Sequence, residues 1–225
     1  MAITLTDTSL MRLMQLSSAS LPVGADAFSQ GLESAVENGW VTNLDQTEAW
    51  LNTQLAFSLQ CVDLPIIFRV REALEKHDME SVNYWNAFLL ACRETKELHL
   101  TDEATGAALT RLLKKLALDE LVDELKAPSF LTVFCAAAKH WNISEEACCL
   151  GYLWSWLENQ VAAATKLVPL GQTDAQILLS RLQATLPEYI ENAKHISDES
   201  IGSSLPALAI ASAQHETQYS RLFRS

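Results

Sequence analysis

Glycine and proline are scarce in this 225-residue chain, with 7 and 6 copies, and most stand where a helix would begin or end. No alternating strand-turn-strand pattern accompanies them, which argues against a sheet-based body. Cysteine is limited to Cys61, Cys92, Cys135, Cys148 and Cys149, an odd number without a CxxC pair, in apolar helix-like surroundings. Buried free thiols are expected rather than a disulfide framework or a zinc site. Adjacent Cys148 and Cys149 point about a third of a turn apart on a helix, so a shared metal would strain both. Basic charge is also short: 16 Lys and Arg against 28 Asp and Glu leave a net charge of −12, which repels phosphate backbones and anionic lipid. Nucleic acid and membrane surfaces are therefore poor partners. The stretch from Met1 to Ser20 has no basic leader region and carries Asp7 and Arg12 among its apolar residues. No signal peptide or membrane span is expected, and the expected location is cytoplasmic.

What is present is a globular balance, 49% hydrophobic and 20% charged, in a chain long enough for a sizeable core. Helical periodicity dominates and predicts an all-α single-domain bundle of about ten helices over residues 1–200. Residues 201–225 are expected to form a tail of the same functional unit, flexible or ordered by a partner. A first helix is expected over Thr8 to Ser17, then a shaped loop through Pro22 and Gly24, then a helix from Phe28 to Asn38 stopped by Gly39. Asn43 and Asp45 start the next, with Trp50, Leu51, Leu55 and Leu59 as its stripe. Asp63 reads as the cap of a helix with Pro65 in its first turn, followed by a helix from Glu80 to Lys96. Thr101 reads as the cap of a helix over Asp102 to Ala117. A helix to His140 follows the break at Pro128, and Ser144 opens the longest one, to Val168. Thr173 and Gln176 have capping-box spacing. Residues 196–205 read as a linker, and 206–225 could form an amphipathic helix only if something covers Leu208, Ile210, Leu222 and Phe223.

Catalytic patterns are weak. Neither GxxxxGK[ST] nor GxGxxG occurs. His215-Glu216-Thr217-Gln218-Tyr219 begins like the zinc-protease HExxH, but Tyr219 stands where the second ligand belongs. His99 with Asp102 and Glu103 is the best local nitrogen and oxygen cluster for a transition metal, against the plainer reading of a solvated helix start. Arg93 and Glu94 read as an exposed salt-bridged helix face or, alternatively, as a contact surface for another protein. Trp154 and Trp156 lie on opposing sides of a helix that is apolar all round, as a central or interface helix would be.

Three blocks carry a family resemblance. They are Ser20-Leu21-Pro22-Val23-Gly24-Ala25-Asp26-Ala27-Phe28-Ser29-Gln30-Gly31-Leu32-Glu33, then Tyr152 to Gln160 with Lys166 to Gln172, then Leu208 to Ser212 with His215 to Ser225. Ala91-Cys92-Arg93-Glu94-Thr95 is a weaker fourth. In order and spacing the chain resembles the UreF family of urease accessory proteins. The resemblance implies a helical, non-enzymatic homodimer without a firmly bound cofactor, which binds UreD (UreH), recruits the GTPase UreG and helps nickel reach apo-urease. It places Pro22, Gly24, Ser29, Gly31 and Glu33 on the UreG side. Lys166 falls near the dimer axis with Glu158 as a possible partner. His215, Glu216, Tyr219, Arg221 and Arg224 fall on the UreD side. Asp26 departs from the aromatic or apolar residue expected at its position. Two other roles fit such a chain: direct nickel carriage, or regulation of the UreG GTPase through Arg93 or Arg221.

Overall fold

Thr6, Asn43, Asp78, Thr95, Ser129 and Ser144 each accept a hydrogen bond from the backbone N–H three residues on, and each opens a helix. In the computed structural model, which describes residues 5–224, the helices are α1 (Asp7–Leu16), α2 (Leu32–Glu37), α3 (Leu44–Gln54), α4 (Leu64–Glu75), α5 (Met79–Ala91), α6 (Lys96–Lys115), α7 (Phe130–His140), α8 (Glu145–Leu167), α9 (Gln172–Gln183), α10 (Leu186–Ala193) and α11 (Pro206–His215). No strand occurs among the described residues, so the expected all-α bundle is what forms. Gly39 ends α2 with φ +72°, a left-handed turn that glycine adopts without a Cβ penalty.

The bundle is organised around α8, which packs against α1, α2, α3, α4, α7, α9 and α10. Such a helix must be apolar on most faces, and Leu153 and Leu157 are fully buried. Each such leucine stabilises the fold by roughly 1.5–3 kcal/mol. Cys135, Cys148 and Cys149 join the same core as buried free thiols, while Cys61 and Cys92 are half-buried.

Several expected boundaries are corrected. Asp63 caps nothing: with φ −65° and ψ −51° it closes a π-helical stretch, Leu55–Asp63, that runs α3 into α4 without a break. The wider turn accommodates Pro65, which has no N–H to give the carbonyl four residues back. That carbonyl, on Cys61, accepts instead from the Gly202 N–H at 3.2 Å, which pins the 196–205 linker to the core. The second helix begins at Leu32, not Phe28, because Phe28 is extended (φ −124°) after a 3₁₀ turn at Ala25–Ala27. The fifth ends at Ala91, and Thr95 rather than Thr101 caps the sixth. Thr101 lies inside α6 and donates to the Glu97 carbonyl at 2.9 Å. The His99, Asp102 and Glu103 cluster therefore does not form. His99 meets exposed Glu103 one turn on at 3.3 Å, whereas Asp102 is buried. At α9 the Gly171 N–H donates to Asp174, so the expected Thr173 and Gln176 capping box is absent.

One polar joint in the core sets the approach of α5 to α7. Asn86, 3% exposed, accepts from the Ser129 N–H and the Thr132 hydroxyl, each at 2.8 Å, and donates to the Lys126 and Ala127 carbonyls. Asn86→Leu strands those groups, and a loss of about 1–3 kcal/mol is expected in urea unfolding. A midpoint unchanged from the parent would mean that the joint is dispensable.

Candidate functional site

The two ends of the chain meet at a buried imidazole. Gly31 (φ +81°) starts α2 in a conformation few side chains tolerate, and a Cβ there would lie 3.2 Å from Leu208 and 3.3 Å from the Ser212 nitrogen. This close approach lets α11 lie against α2, and Ser212 bonds the Thr95 hydroxyl at 2.7 Å. His215, the last residue of α11, is then enclosed completely. Its Nε2 lies 2.9 Å from Glu33 and its Nδ1 2.9 Å from Glu97, in the first turns of α2 and α6.

Past His215 the chain folds back. Glu33 accepts the Leu222 N–H at 2.6 Å and the Phe223 N–H at 2.9 Å, and Arg221 donates to Glu97 at 3.2 Å. Phe223 is 6% exposed, packed with Leu32, Ala35, Ala163, Ala164 and Val168. The Arg224 N–H closes the segment on the Ala27 carbonyl at 2.7 Å. Within the stretch expected as a flexible or partner-ordered tail, 201–225, residues 206–224 are thus packed on the body. The chain covers Leu208 and Phe223 itself, but leaves Ile210, Tyr219 and Leu222 exposed. Ser225, the end of the third motif block, lies outside the described residues. Burial pushes the Glu97 carboxyl up, while its bond to His215 and the Arg221 charge pull the other way.

The structure brings together Ser29, Gly31, Glu33, His215 and Arg221, which the family resemblance divides between two faces. Pro22 and Gly24 are exposed in the loop before α2, and Asp26 is exposed beside them. Glu216, Tyr219 and Arg224 are exposed around the tail, with the Arg224 guanidinium 5.9 Å from the Phe28 ring. Glu158 is half-buried and Lys166 exposed on α8, and no ion pair joins them among the described residues. Lys166 instead places its ammonium 5.3 Å from the Phe223 ring.

Arg93 and Glu94 are not on a mid-helix face, since the chain turns there between α5 and α6. Arg93 points inward and binds Asp63 through both terminal nitrogens, at 3.0 and 2.7 Å, and Asp102 through Nε. The Tyr152 hydroxyl donates to Asp63 at 2.6 Å. Burial alone would pull the Arg93 guanidinium down, but the Asp102 and Asp63 charges outweigh it and hold it well above its usual value. Burial raises Asp102, with Arg93 opposing. This network and Glu94 help to line a cavity of about 110 Å³. Glu94 in turn holds the linker through the Ser204 hydroxyl at 2.9 Å and the Leu205 N–H at 3.3 Å. Sequence reasoning missed Asp63, Glu97 and Tyr152 as site residues and grouped Asp102 with His99 and Glu103 instead of Arg93. For Glu97, the signal available was the Thr95 cap, which places it in a first turn.

Among the described residues no three His, Cys, Asp or Glu side chains converge on a point that could hold a metal ion. No described helix is long and apolar enough to cross a membrane. The sequence model of the UreF family matches residues 41–183. The chain belongs to the UreF family. It is 52% identical to the urease accessory protein UreF of Marinomonas sp. (strain MWYL1) over 98% of this chain and 96% of that one. The UreF proteins of Hahella chejuensis (strain KCTC 2396) and Pseudomonas putida (strain KT2440) are 47% and 45% identical, over 96% and 97% of this chain and 98% and 99% of theirs. The UreF match of residues 41–183 covers α3 to α9, whereas Glu33 and His215 lie on either side of it. The full-length likeness to the three relatives spans both.

Proposed function

We propose that this chain serves urease maturation as a non-catalytic cytoplasmic scaffold, a homodimer that joins UreD (UreH) to the GTPase UreG and helps nickel reach apo-urease. The observation that carries the reading is the convergence of the N-terminal and C-terminal motif residues on Glu33, His215 and Arg221. Tyr219 and Leu222 are left exposed beside them, 105% and 65%. Exposed aromatic and apolar side chains ringed by charge suit protein contact. Membership of a family of urease accessory proteins supplies the process. Nickel is cargo of the assembly in this reading, not a resident cofactor of the chain.

Co-expression with UreD and UreG followed by size-exclusion chromatography tests it. The three chains are expected to co-elute, and elution of this chain alone in the presence of both would defeat the scaffold. A second reading, acceleration of UreG turnover by a donated guanidinium, is favoured at Arg221 over Arg93. The Arg221 side chain is 38% exposed with one carboxylate contact, whereas Arg93 is 14% exposed and held by two. UreG turnover raised by the parent but not by Arg221→Ala would establish that role. No effect of either protein leaves the scaffold alone. Tight nickel binding by the isolated chain in calorimetry would indicate a carrier instead.

A further inference from the structure

Carboxylates accept hydrogen bonds and cannot donate them, so a histidine with carboxylates at both ring nitrogens poses a proton question. An ionised Glu33, which already accepts the Leu222 and Phe223 N–H groups, can only accept again at 2.9 Å, so His215 Nε2 then carries the hydrogen. A neutral ring would then turn the Nδ1 lone pair onto Glu97, 2.9 Å away. With both atoms holding only lone pairs the contact is repulsive. One further proton, on Nδ1 or on the Glu97 carboxyl, makes it a strong hydrogen bond. His215 is completely buried and touches Glu97 directly, so no water fits between the two atoms.

We propose that the proton shared by His215 and Glu97 is the pin of a latch, which holds the C-terminal segment closed and releases it as pH rises. The side chains that grip the Arg221–Phe223 stretch lead back to this contact, while the Phe223 socket and the Arg224 N–H on the Ala27 carbonyl hold it independently. Glu33 grips the Leu222 and Phe223 backbone and is itself held by His215, while Arg221 lies on Glu97. Arg221 stabilises the ionised Glu97, Glu216 opposes it, and Lys166 faces the latch only through the Phe223 ring. Loss of the proton leaves two buried carboxylates beside a neutral ring, with Arg221 as their remaining countercharge. Burial holds the Glu97 carboxyl above its ordinary value in the latched state, so that state binds the proton more tightly than the open one, and closure is complete at low pH and weakens as pH rises through that raised value. Opening lifts Phe223 from its apolar socket of Leu32, Ala35, Ala163, Ala164 and Val168, beside the Glu33 carboxylate.

The backbone amides of Leu222 and Phe223 report the latch directly. Their hydrogen-exchange protection factors, measured by NMR on the full chain from about pH 6 to about pH 9, are expected to fall up to tenfold per pH unit at the alkaline end. Amides within α8 should keep theirs. In Glu97→Gln the amide can donate to Nδ1 without a shared proton, and tail protection is expected to persist at alkaline pH. Tail protection factors independent of pH in the parent would overturn the proposal. So would loss of tail and α8 protection in parallel, or a Glu97→Gln profile as steep as the parent's. If that variant does not fold, the parent profile and the α8 reference still decide.

Discussion

Arg93→Ala is expected to lower stability by about 3–5 kcal/mol, because it leaves Asp63 and Asp102 ionised, buried and unpaired. For a chain of this size that corresponds to a fall in Tm of roughly 6–20 °C. The sign of its pH dependence follows from the carboxyls. Burial already raises Asp102 with Arg93 present. Without the guanidinium Asp102 loses the charge that opposes its burial, so it takes up a proton more readily folded than unfolded. The penalty is therefore present in full above its folded value and shrinks as pH falls toward about 4, the ordinary carboxyl range. The Tm deficit of Arg93→Ala should be largest near neutrality and smaller at about pH 5. A deficit under about 1 kcal/mol at neutral pH would show that Arg93 is a surface residue after all.

Gly106→Ala should be nearly as damaging for a different reason. A Cβ at Gly106 would lie 2.1 Å from the Pro128 carbonyl oxygen, 2.6 Å from the Ser129 carbonyl carbon and 2.8 Å from the Phe130 nitrogen. All three are backbone atoms at the start of α7, so relief requires α6 and α7 to separate. Overpacking of this kind costs about 1–3 kcal/mol, and the rigid neighbours place this case at the upper end. Gly151→Ala is the control. Its Cβ would meet the Leu13 Cδ1 at 2.4 Å and the Ser17 Oγ at 2.6 Å, both ends of side chains on or just after α1. Rotamer changes can absorb part of that clash. Urea unfolding should rank Gly106→Ala below Gly151→Ala, and the reverse order would mean that α7 yields more easily than α1.

The helices themselves were legible where a local signal acts alone. Ser144 followed by Glu145 and Glu146 marked the start of α8, and Pro128 with Ser129 marked the start of α7. Gly39 ended α2 as a left-handed residue should. Reading failed where a second signal competed. Thr101 with Asp102 and Glu103 imitates a helix start, yet Thr95 caps one turn and a half earlier and Asp102 is needed inside against Arg93. Pro65 suggests a break, but the π turn and Gly202 satisfy what it leaves open.

The sequence alone decided the fold class, the absence of nucleotide-loop motifs and the resemblance that the family match bears out. Periodicity and motif order are properties of neighbouring residues and survive without coordinates. Only the tertiary structure decided which charges are buried together. Asp63, Arg93 and Asp102 are separated by helices, and Glu33, Glu97 and His215 by most of the chain. Nothing in the spacing along the chain encodes such pairs. They exist because the packed helices exclude water there, and an excluded charge must find its partner in space.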